Sequence, residues 1–356
     1  MSHPYVALND HHFWYKSMTA PAPGHIDPMI RQITIAPTDK VATMGSCFAQ
    51  HLSGYIAKSG FNYYVPEQPP GEIDAETAKK RNYGIFSARY GNVYTVKQAV
   101  QLFDRAFGCS TLQENVWLKD HVFVDAFRPQ IEPEGFPSKQ ALLEDREKHL
   151  SCVKHVFEHS DWLIFTLGLT EAWRSKDDGA VFPMAPGVSG GFYNKDNHEF
   201  VNYSVSEVIQ DLSELVNKVT AINPGIDILL TVSPVPLIAT YEDRHVLVST
   251  TVSKAILRVA ADETEKRFNN VLYFPSYEII TSAANSGRYF QDDLRQVTDI
   301  GVNHVMRIFS KHLLQANSPS SADGELAVFS GETRGSEDIV CDEEVIERAI
   351  RGAGFL

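Results

Sequence analysis

The stretch Gly45-Ser46-Cys47-Phe48-Ala49 sets a hydroxyl and a thiol side by side. It follows the apolar run Val41-Ala42-Thr43-Met44 and precedes a helical pattern. A strand ending at Gly45, with a helix starting at or just after Ser46, leaves several backbone N–H groups without partners at one turn. A nucleophile at such a junction can be cradled by those amides, as acyl transfer requires. Each side chain has two readings. Ser46 is either the N-cap of the helix, a role serine fills well, or a nucleophile. Cys47 is either a core side chain or a rival nucleophile, because a helix N-terminus favours the thiolate.

The elements that must position this turn are readable. Strand-like runs recur at Val41–Met44, Trp162–Leu167, Ile226–Val232 and Val271–Phe274. They are near-continuously apolar, as expected of strands covered on both faces. Helical patterns lie between them. Phe48, Leu52, Tyr55 and Ile56 share one helical face, which Gly60 can close. Ser204-x-x-Glu207 is a capping box opening a helix to about Ile222, before Asn223-Pro224-Gly225. Val252, Ile256 and Val259 mark another helix, and Val302, Val305, Met306, Phe309 and Leu313 mark the last of the core. Strands alternating with helices give a parallel α/β sheet, whose sites form at the C-terminal ends of the strands.

Composition narrows the function classes. The chain has 356 residues, 43% apolar and 22% charged, as in an ordinary soluble globular protein. A net charge of −13 argues against nucleic acid and anionic membrane surfaces as partners. Met1–Asp10 lacks the pattern of a signal peptide, and no apolar stretch approaches the length of a membrane span. Cys47, Cys109, Cys152 and Cys341 are far apart. They read as reduced thiols of a cytoplasmic protein, not as a disulfide framework or a zinc site. Residues 1–40 read as an arm packing on the core, with His11-His12 structural, and 41–316 as the α/β domain. Residues 317–356 hold nine acidic residues and three Arg, and so carry −6 of the charge. They read as an acidic, partly flexible tail in which Val345, Ile346, Ala349 and Ile350 suit one short helix.

Several further strings recur in a recognisable order. These are Asn82-Tyr83-Gly84-Ile85, Thr166-Leu167-Gly168-Leu169-Thr170-Glu171-Ala172-Trp173, Thr231-Val232-Ser233-Pro234-Val235, Ser253-Lys254-Ala255-Ile256-Leu257-Arg258 and Tyr273-Phe274-Pro275-Ser276-Tyr277-Glu278-Ile279. With Gly45–Ala49 they span roughly residues 41–312 and resemble the GSCFA family, which is similar to the SGNH/GDSL hydrolases and acyltransferases. The resemblance implies a three-layer, flavodoxin-like (SGNH-type) parallel sheet with helices on both faces. It implies Ser46 as nucleophile, with its own N–H and that of Gly84 holding an oxyanion. Gly168-Leu169-Thr170-Glu171 stands where such enzymes carry Gly-x-Asn-Asp. Thr170 therefore occupies the place of the usual asparagine donor, Asn82 is a substitute, and Gly168 and Glu171 border the substrate.

The base departs from the pattern. Asp293-Leu294-Arg295-Gln296 stands where such enzymes carry Asp-x-x-His, so Asp293 is present and Gln296 replaces histidine. Glutamine cannot act as a general base near neutral pH. His245, on the loop after the third strand, is the candidate base or substrate ligand; its structural reading is a salt-bridge cluster with Asp243 and Arg244. His304, on the last helix, reads as a packed or surface histidine. The third reading is that no base exists and the protein only binds. The expectation is a serine-dependent esterase or O-acyltransferase acting on a small-molecule or glycan ester, since GSCFA proteins resemble accessories of bacterial surface polysaccharides. The alternative is a non-catalytic ligand- or glycan-binding protein. No metal, nucleotide or other cofactor is called for.

Two remaining features are weaker. The segment Arg174–Tyr203 reads as a long loop, a lid or acceptor wall, with Trp173, Phe192 and Tyr193 able to stack on a sugar or to pack beneath the loop. His155 and His159 are four apart on a helix with Glu158 between, but without HExxH order or a third ligand nearby they read as structural.

Overall fold

The four apolar runs become the four strands of one parallel sheet. The computed structural model describes residues 3–315, together with 345, 346 and 348. The first half holds β1 (Val41–Gly45), α1 (Ala49–Lys58), α2 (Ala75–Lys80), α3 (Val96–Ala106), β2 (Val116–Lys119), β3 (Val122–Asp125), α4 (Lys139–His159) and β4 (Trp162–Leu167). The second holds β5 (Glu171–Ser175), β6 (Val181–Phe182), β7 (His198–Asn202), α5 (Val205–Ile222), β8 (Asp227–Val232), α6 (Val246–Arg267), β9 (Val271–Tyr273), α7 (Ser276–Thr281) and α8 (Asp299–Leu313).

The central sheet runs β1-β4-β8-β9, every pair parallel, with Gly45 opposite Thr166 and Thr166 opposite Thr231. At its β1 edge the backbone of 62–64 adds a rudimentary neighbour. Val41 N donates to Asn62 O (3.0 Å), and Tyr64 N donates to Val41 O (2.9 Å).

The runs are continuously apolar because successive residues serve different cores. Ala42, Met44, Leu163, Phe165, Ile228 and Leu230 join a cluster with Val100 and Phe103 of α3, Phe157 of α4, Leu212 of α5 and Leu257 of α6. Val41, Trp162, Ile164, Leu229 and Leu272 join a second cluster with Leu52 and Ile56 of α1 and Val302, Val305 and Phe309 of α8. The capping box at Ser204 and Glu207 forms as the sequence suggests.

Two expectations change and one small sheet is added. The segment Arg174–Tyr203 is not one long loop: β5, β6 and β7 pair as a three-stranded antiparallel sheet, in the order β6-β5-β7. A second small sheet, β2-β3, went unread. In α6 the large aliphatics point the wrong way for a core stripe. Val252 and Ile256 are half-buried and Val259 is exposed, while Ser253, Lys254, Leu257, Ala260, Ala261 and Thr264 are buried. Small residues let α6 lie close to the sheet and α5, so apolar size misleads as a guide to its inner face.

Residues of the arm pack on α8. Ile33 N donates to His312 O and Ile35 N to Leu313 O, while Asp27 meets Lys311 and His312 at 2.7 Å. Val345, Ile346 and Arg348 are helical; Ala349, Ile350 and the rest of 317–356 lie outside the described residues. No helix among the described residues is long and apolar enough to cross a membrane.

Candidate active site

The end of β1 is fixed by backbone geometry. Gly45 has φ +130°, and a Cβ there would lie 2.7 Å from Thr166 N and run into the Thr166 carbonyl. Only glycine lets β1 pass this close to β4 while turning out of the sheet. Ser46 N then donates to Thr166 O at 3.1 Å. This corrects the expectation that the Ser46 N–H is free to hold an oxyanion. The unpaired amides lie one residue on: among the described residues neither Cys47 N–H nor Phe48 N–H has a hydrogen-bond partner.

Ser46 is 3% exposed, and its Oγ has no hydrogen-bond partner among the described residues. It caps nothing: α1 has Phe48 at its N-cap, without a side-chain cap. A buried hydroxyl without a partner costs about 1–3 kcal/mol. Thr166 Oγ1, on the neighbouring strand, is in the same condition.

Ser46 lines a small cavity with Cys47, Tyr94, Gly168, Leu169, Ser233, the wall Val235–Leu237, and Lys254. The parts come from the C-terminal ends of three adjacent strands, as expected of an open parallel sheet. Ser46 follows β1, Gly168 and Leu169 follow β4, and Ser233 follows β8. Gly168 N and Leu169 N both donate to Tyr94 O (3.1 Å each). A Cβ on Gly168 would lie 3.1 Å from Ser46 Cβ, so Gly168 packs directly against the serine. Lys254, 2% exposed, donates from Nζ to Gly168 O at 2.6 Å.

The other sequence-predicted residues are distributed around this centre. Cys47, 5% exposed, lines the cavity rather than turning away from it. Thr170 is buried just beyond Leu169. Its Oγ1 pairs with Asn202 Oδ1 (2.7 Å) and Ser253 Oγ (3.1 Å), which commits the hydroxyl to the β7–α6 junction. Glu171 accepts from Thr240 Oγ1 at 2.7 Å, and burial raises its carboxyl above the ordinary value. Asn82 donates to Gln130 O and lines a different cavity, beside Arg128. Gly84 has φ +69° and is not among the residues lining the Ser46 cavity.

Asp293 Oδ1 accepts from Arg295 N and Gln296 N (2.9 Å each) and so shapes its own exposed turn. That turn reaches the cavity wall through Arg295 Nη2, which donates to Pro236 O at 3.3 Å. His245 is exposed at the N-cap of α6, where its Nδ1 accepts from Leu247 N at 3.2 Å. It is not among the residues lining the cavity. His304 is packed: Nδ1 meets Tyr289 Oη and Nε2 meets Ile26 O, each at 2.7 Å, and burial lowers its pKa.

Lys254 is the residue the sequence reading missed. Its signal was a lysine at the helical spacing of Leu257, Ala261 and Thr264, a position that belongs to the core. Elsewhere, Trp173 makes edge contacts with Tyr193, Phe200 and Tyr241 on the small sheet. Phe192 is 77% exposed beside them. On α4, ligand atoms of His155, Glu158 and His159 lie within 4.8 Å of one another, so a third ligand is nearby after all.

The GSCFA family model matches residues 40–309. No curated protein matches the chain.

Proposed function

The chain belongs to the GSCFA family, and from that premise we propose that it is a serine-dependent acyl-ester enzyme, an esterase or O-acyltransferase built on an SGNH-type fold. The sheet order supports the fold. With 62–64 counted as an edge, it follows the 2-1-3-4-5 order of doubly wound, flavodoxin-like sheets. Separate apolar clusters formed by alternate strand residues fit helices on both faces.

The observation that carries the reading is Ser46 Oγ, buried at a strand end with no hydrogen-bond partner among the described residues and no capping role for α1. Ser46 attacks the acyl carbonyl. The Cys47 N–H, the amide after the nucleophile, holds the oxyanion, with Phe48 N–H beside it. The cavity is about 10 Å³, room for one water-sized group. A hydroxylated acceptor, a glycan among them, fits the aromatic surface around Trp173 and Tyr193.

Intact-mass detection of an acyl adduct on Ser46 after treatment with p-nitrophenyl acetate tests the proposal. An adduct absent from Ser46→Ala is expected. Equal turnover by Ser46→Ala and the wild type would remove the serine mechanism. Labelling that persists in Ser46→Ala but is lost on alkylating Cys47 would transfer the role to the thiol.

The second reading, a non-catalytic binding protein, draws on Gln296 and on the absence of histidine from the described residues lining the cavity. It expects no adduct at any pH.

A further inference from the structure

We propose that Lys254 accepts the Ser46 proton, so that a serine–lysine pair stands in this chain where a serine–histidine pair would otherwise serve. The inference rests on the serine reading above. Lysine is rarely buried fully, because its long stem ordinarily carries the amine to water. Here the neighbouring position on α6, Ala255, is exposed, yet the lysine lies on the inward side, 2% exposed. Its Nζ is fixed by the hydrogen bond to Gly168 O (2.6 Å), and Gly168 packs against Ser46. Ser46 and Lys254 therefore flank one residue and face one cavity. Among the described residues, those lining that cavity include no histidine and no carboxylate. Gln296 cannot take a proton, and the Nδ1 of His245 is engaged as a helix cap at an exposed position.

The chemistry balances without a further reactant. In its neutral form the amine donates one N–H to Gly168 O and can present its lone pair to Ser46. The proton leaves Oγ for Nζ as Oγ bonds to the acyl carbon and the carbonyl electron pair moves to its oxygen. When that pair returns, the bond to the leaving alkoxide breaks, and the alkoxide takes the proton from Nζ. Water or an acceptor hydroxyl then repeats both steps and frees Ser46. A base must be neutral to act. Serine–lysine pairs are an established chemical solution on unrelated folds.

The test is the rate of acyl-adduct formation with p-nitrophenyl acetate between pH 5 and pH 10. Lys254→Arg keeps a donor to Gly168 O but is charged at every pH tested, so it has no lone pair with which to accept a proton. A folded Lys254→Arg should acylate about 100- to 10,000-fold more slowly than the wild type and lose its pH dependence. Should arginine prevent folding, Lys254→Met, close in length and uncharged, replaces it. Added methylamine should restore part of its rate, and guanidinium should not. A folded Lys254→Arg within a few-fold of the wild type overturns the proposal, as does Lys254→Met that guanidinium rescues as well as methylamine. A wild type that forms no adduct, or a Ser46→Ala that forms as much, sinks the serine reading instead.

Discussion

Gly45 and Thr166 face each other across β1 and β4 at a separation that excludes any side chain on Gly45. The same Thr166 carbonyl accepts the Ser46 N–H, so one contact sets both the strand pairing and the direction in which the chain leaves the sheet. Gly45→Ala should destabilise the protein by about 2–4 kcal/mol, combining a strained positive φ with overpacking against backbone that cannot give way. Urea unfolding checks it. A loss under about 1 kcal/mol would mean that β1 and β4 can separate at this point.

Ser46→Ala separates the two roles a serine can have here. A capping serine replaced by alanine costs about 1 kcal/mol. A buried hydroxyl without a partner burdens the fold, and its removal should leave stability unchanged or raised by about 1 kcal/mol. We expect the second outcome from thermal and urea unfolding, together with loss of acylation.

The backbone plan was legible because strands covered on both faces write themselves as apolar runs, and the ends of Trp162–Leu167 fall where the sequence placed them. Ser46 was legible because glycine followed by serine punctuates a strand end. The direction of the Ser46 N–H was not, since a hydrogen bond to Thr166 O depends on a strand more than a hundred residues away. Lys254 was hidden for a related reason. Apart from Leu257 and Lys254 itself, the inner face of α6 is made of serine, alanine and threonine, so the aliphatics Val252, Ile256 and Val259 did not mark it. The three-stranded sheet β6-β5-β7 was hidden by short strands joined through Gly- and Asn-rich turns, which carry little periodicity.

Thr170→Val distinguishes a structural threonine from an oxyanion donor. Its Oγ1 joins Asn202 Oδ1 and Ser253 Oγ, so the substitution strips a partner from two groups at the β7–α6 junction. A stability loss of about 1–3 kcal/mol should follow. Acylation of Ser46 should stay within a few-fold of the wild type, whereas loss of an oxyanion donor would slow it about 100- to 1,000-fold.

The buried pair Glu67 and His149 (2.8 Å) should make stability fall in acid. Burial alone would raise the Glu67 carboxyl; His149, Arg128 and the Arg89 N–H outweigh it and hold it at about 2. His149 is pushed below the ordinary imidazole value, first by burial and then by Arg128. Near neutral pH the ring is therefore neutral and donates from Nδ1; in acid it charges, and together with Arg128 it keeps Glu67 ionised. Both groups bind protons more readily unfolded than folded. The stability from His149 is complete above pH 6.5 and drains as pH falls below it; that from Glu67 is complete above 4.5 and is lost on the way to about 2. Unfolding free energies at pH 7, 5 and 3 should fall in that order. Glu67→Gln should flatten the step between 5 and 3, and an unchanged step would assign it to other carboxylates.

Asp125 is the anchor of the charge cluster behind the β2–β3 hairpin. Its side chain has no exposed surface and meets Arg128 Nε at 2.9 Å, Arg146 Nη2 at 3.0 Å and Phe127 N at 3.0 Å. Burial opposes its charge, yet Arg128 and Arg146 hold the carboxyl far below the ordinary carboxylate range. Arg105 lies 4.0 Å over the Phe127 ring, and burial pushes it down to about 9, with Asp125 as the acid that supports its charge. Removing Asp125 therefore takes the acid from Arg105 and Arg146 in a desolvated space and leaves Arg128 with Asp145, 2.7 Å away. Asp125→Ala should cost about 3–5 kcal/mol, the penalty of breaking a buried pair from one side. The double replacement Asp125→Leu with Arg146→Met should cost less than Asp125→Ala alone, because it withdraws a stranded charge along with its partner. Urea unfolding of the variants checks the order, and a double variant less stable than the single one would show that Arg146 is held by contacts other than Asp125.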